Sequence, residues 1–93
     1  MNATTPIVID GKEYPYYSFN LAISTKYEGN SEIGSAALRL VPTRVNETGN
    51  VENDEINFKS ILLGSTAKMQ DPEKTAVQKI QQALQEYIYS KGL

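Results

Sequence analysis

Asp71–Leu93 (DPEKTAVQKIQQALQEYIYSKGL) carries complete start, periodicity and stop signals for one helix, and it constrains what the residues before it can be. Asp71 can cap, Pro72 suits the first helical position with its fixed φ and missing N–H, and Gly92 suits the exit. Between them Val77, Ile80, Ala83, Leu84, Tyr87 and Ile88 recur at three- and four-residue spacing, which places an apolar stripe on one face. A stripe of that kind needs a surface to cover. The preceding chain reads as the β-structure that supplies it.

Residues 1–5 are small and polar and read as a flexible N-terminal arm, leaving 6–93 as a single domain. Ile7-Val8-Ile9 is a β-branched run closed by Asp10-Gly11, a strong two-residue hairpin signal. From about Lys12 to Ser24 a second strand follows, in which Tyr17, Phe19, Leu21 and Ile23 alternate with Ser18, Asn20, Ala22 and Ser24. Pro15 lacks a backbone donor and belongs at an edge or bulge. Thr25–Ile33 (TKYEGNSEI) reads as a loop, and Gly34–Val45 as a strand with Ala36, Leu38 and Leu40 on one face. Asn46–Asn50 is a turn by composition, and Val51–Phe58 is polar and only partly extends the hairpin. Lys59-Ser60-Ile61-Leu62-Leu63 is short and bounded by Gly64, which favours a strand over a helical turn. The expected fold is α+β: a small antiparallel sheet of three to four strands with one C-terminal α-helix packed on it.

The 93-residue chain contains no cysteine and no histidine, which removes disulfides, thiolate chemistry and the commonest general base and transition-metal ligand. Serines at 18, 24, 31, 35, 60, 65 and 90 therefore have no histidine partner, and no motif supports a Ser–Lys pair. The glycines are isolated, so neither a P-loop nor a dinucleotide fingerprint is present. Net charge is −2, and no two of the nine Lys and Arg residues are adjacent, which argues against a nucleic-acid footprint. The N-terminus lacks the charged and apolar regions of a secretion signal, and no apolar run approaches a membrane span. The expectation is a soluble, non-enzymatic protein with no cofactor.

Three clusters are candidates for function. Glu47, Glu52, Asp54 and Glu55, with Asn50, Asn53 and Asn57, crowd oxygen ligands but lack the spacing and internal glycine of a calcium loop, so a solvated polar loop is preferred. Tyr14 and Tyr16 could anchor a protein interface, or with Tyr27 form a carbohydrate- or small-ligand-binding surface, although no Trp accompanies them. Gln78, Gln82 and Gln85 lie off the apolar stripe and form a helix face low in charge, suited to packing against another subunit. An acidic inhibitor mimicking nucleic acid is a further alternative, though four acids over Glu47–Glu55 are few for that role.

Together, Tyr14-Pro15-Tyr16-Tyr17-Ser18-Phe19-Asn20-Leu21-Ala22-Ile23-Ser24, Ala36–Val45, Asn46–Asn50 and a closing helix ending Lys91-Gly92-Leu93 resemble small virion-associated proteins of tailed bacteriophages. The resemblance runs from about Ile7 onward and is one of style and spacing, without a diagnostic motif, so it transfers no site residue. It implies a structural part of a virion, in the tail, baseplate or fibre-attachment region. The implied partners are other virion proteins or further copies of the chain, in a homo-oligomer, and neither nucleic acid nor membrane.

Overall fold

A computed structural model describes residues 1–93. Five strands precede one helix: β1 (Asn2–Ile9), β2 (Lys12–Glu28), β3 (Ser31–Val45), β4 (Val51–Asn53), β5 (Lys59–Ser65), a single 3₁₀ turn at Thr66–Lys68, and α1 (Glu73–Ser90). The sheet has the order β1-β2-β3-β4, with β5 also pairing β3, and β1 with β2 and β3 with β4 run antiparallel. The α+β expectation holds, with five strands in place of three to four.

Asp10 and Gly11 close the first hairpin with φ of 50° and 76°, the left-handed pair that matches the strands' own twist, and Ile9 pairs Lys12 across it. Residues 1–5, expected as an arm, are instead tied down: Tyr17 N–H donates to Met1 C=O at 2.8 Å, and Asn2 pairs Tyr16. Between Asn2 and Ile7 the register shifts, and Pro6, which cannot donate to a ladder, falls in that irregular stretch.

The second correction concerns Thr25–Ile33. It is not a loop: β2 runs to Glu28, β3 starts at Ser31, and Gly29 (φ 60°) with Asn30 makes a two-residue turn. Every residue from Ser24 to Ile33 is exposed, so this stretch lacks the apolar alternation by which a half-buried strand is recognised. Lys59–Leu63 lies in β5, as the glycine-bounded run predicts. Asn46–Asn50 forms the expected turn, held by Asn46 Oδ1, which accepts from the N–H groups of Thr48 and Asn50, both at 3.0 Å.

Contacts group the residues into two compact units. The first comprises Met1–Ala22 and Ala37–Ile61. Its buried residues are Tyr14, Val41, Pro42 and Thr43. The second comprises Ile23–Ala36 and Leu62–Leu93, and its buried residues are Ala36 and Val77. In this second unit α1 faces the distal β2–β3 hairpin, where Ile23, Thr25 and Glu32 share a groove with Gln81, Leu84, Gln85 and Ile88. At the helix start Pro72, not Asp71, takes the N-cap position, so the helix begins one residue later than expected; Asp71, one residue outside the cap, still accepts from the Thr75 N–H at 3.2 Å through Oδ1. At its end, Gly92 N–H donates to Tyr89 C=O and Leu93 N–H to Ile88 C=O, with Gly92 at φ 71°, a paired closure of the last turn.

Candidate functional site

The acidic cluster is divided among partners in the first unit. Glu52 Oε2 accepts from Arg44 Nη1 at 3.1 Å and lies 3.6 Å from Lys12 Nζ, while Glu52 Oε1 accepts from the Asn46 amide at 3.1 Å. Those amide and guanidinium donors favour the carboxylate and hold Glu52 below the ordinary Glu range. Asp54 accepts from the Asn57 side-chain amide at 2.8 Å and from the backbone N–H groups of Ile56 and Asn57 at 3.2 Å, which lowers its pKa as well. Glu55 pairs with Arg39 at 3.0 Å, and the Arg39 guanidinium lies 4.4 Å from the centre of the Phe58 ring. No three acids converge on a point that could hold a metal ion. This loop folds on itself, with Glu52, Asp54 and Glu55 each closing a local turn or an ion pair.

The tyrosines separate. Tyr14 is 7% exposed, opposite Ile7 of β1, so it belongs to the core of the first unit and is not a surface anchor. Alternation along β2 places Tyr14 and Tyr16 on one flank, which is geometrically sound. The difference arises because β1 covers Tyr14, whereas Tyr16 sits opposite Asn2 at the strand's first residue and stays 41% exposed. Phe19, which alternates in step with Tyr17, Leu21 and Ile23, is 59% exposed. Tyr27, in the second unit, is 70% exposed, and the neighbouring Glu32 carboxylate raises its pKa by hydrogen bonding and by its charge. The aromatic trio is divided: Tyr14 is core, Tyr16 is exposed in the first unit and Tyr27 is exposed in the second.

The helix is the more informative surface. Gln78, Gln82 and Gln85 are all exposed, as their pattern implies. Gln82 reaches Glu86 at 3.3 Å, and Gln85 lines the groove beside Leu84 and Ile88. The apolar stripe is buried only at its start. Val77 is 2% exposed and Ile80 half-buried, but Leu84 is 52%, Tyr87 62% and Ile88 39% exposed. Sequence periodicity makes the whole stripe the lid of a core; in the structure its C-terminal half stays largely open. Periodicity reports that a face is apolar and is silent on how much of it the same chain buries.

An open depression in the second unit, bordered by Ser24, Ser35, Gly34 and Ser65, offers hydroxyls but no acid–base pair; Ser24 and Ser35 spend theirs on each other at 3.1 Å. No helix is long and apolar enough to cross a membrane. Comparison with protein-family models, with curated proteins and with solved structures finds no match for this chain. Function must be argued from the surface itself.

Proposed function

We propose that this chain is a non-enzymatic structural subunit that works by protein–protein packing, as part of a viral particle. The bacteriophage virion proteins it resembles suggest the tail, baseplate or fibre-attachment region. The observation that carries the reading is the amount of large apolar surface left uncovered. Phe19, Ile56, Leu63, Leu84, Tyr87 and Tyr89 are each more than half exposed. Large apolar side chains left open in this way favour contact with other protein.

The surface also suits packing more than catalysis. Glu52, Asp54 and Glu55 are spent on local ion pairs and turns, and the exposed aromatic side chains are of the types enriched at interfaces. Mass spectrometry of intact particles from a host carrying this sequence tests the proposal. The chain is expected at a fixed stoichiometry with other particle proteins. Its absence from purified particles, together with a monomeric state in solution, would overturn it.

A further inference from the structure

We draw no further inference here: the strongest candidate, the apolar face that Leu84, Tyr87 and Ile88 leave open on the C-terminal half of α1, borders Glu32 in its groove and carries Lys91 over the Tyr87 ring, and nothing in the structure shows what covers it.

Discussion

The Thr43 hydroxyl lies 2.8 Å from the Ser18 hydroxyl, joining β3 to β2 in the first unit through a part-buried polar contact. The same oxygen accepts the Ser18 N–H at 3.1 Å and stands 2.8 Å from Asn53 Oδ1 and 2.9 Å from Val41 C=O. One side chain thus ties three strands together where the core is only a few residues deep. Thr43→Val keeps the volume but strands these partners, and is expected to cost about 1–3 kcal/mol. Thr43→Ser keeps the oxygen and should cost less. Urea unfolding curves of the two variants check the order; a Val variant as stable as the Ser variant would show the hydroxyl contributes nothing.

The two lowered carboxylates fix the acid behaviour. Glu52 and Asp54 have folded pKa values below their unfolded ones, so each adds stability that is present above the unfolded carboxylate range, near pH 4. That contribution disappears as pH falls through the lowered folded values. Melting temperature is therefore expected to be flat from neutrality to about pH 5 and to decline below about pH 4. Glu52→Gln should melt lower at pH 7 and show a shallower acid decline. Equal slopes for parent and variant below pH 4 would contradict the assignment.

Val77, at 2% exposure, is the residue through which α1 is anchored in the second unit. Val77→Ala should cost about 1–3 kcal/mol from lost contact and the cavity left behind, and Val77→Asp should unfold the unit by burying a charge without a partner. Tyr87→Ser, on the exposed half of the same stripe, should leave the unfolding of the isolated monomer nearly unchanged. Hydrogen exchange on the helix amides separates the three. A helix in Val77→Asp as protected as in the parent would show it needs no docking.

Gly34 is a position where space decides. A Cβ there would stand 2.8 Å from Thr66 Oγ1 and 3.3 Å from Ser24 C=O. Gly34→Ala is expected to destabilise by about 1–2 kcal/mol through overpacking, and Thr66→Ala in the same chain should recover part of that loss. Thermal melts of the two single variants and the double variant give the coupling directly. Strict additivity would place the strain elsewhere.

The helix, the Asp10-Gly11 hairpin, the Asn46–Asn50 turn and the β5 strand are legible in the sequence because each rests on local rules, of capping, φ > 0 and short-run periodicity. Thr25–Ile33 reads as a loop because a hairpin wet on both faces has no apolar alternation to announce it. Alternation puts Tyr14 on the correct face and in the wrong environment, since its burial depends on β1, a neighbour that the pattern within β2 does not encode. The glutamine face is legible as low in charge. The exposure of Leu84, Tyr87 and Ile88 is not, because it depends on how far the distal hairpin extends beneath the helix.

That distal hairpin has a consequence for how such a chain can change over generations. Lys26, Tyr27, Glu28, Ser31 and Glu32 are all exposed on strands whose register is fixed by a two-residue turn. Substitutions there leave the buried residues untouched, so the tip can drift in chemistry while its position in space is kept. Selection can then retune this part of the surface to a changing neighbour, one residue at a time, without renegotiating the fold.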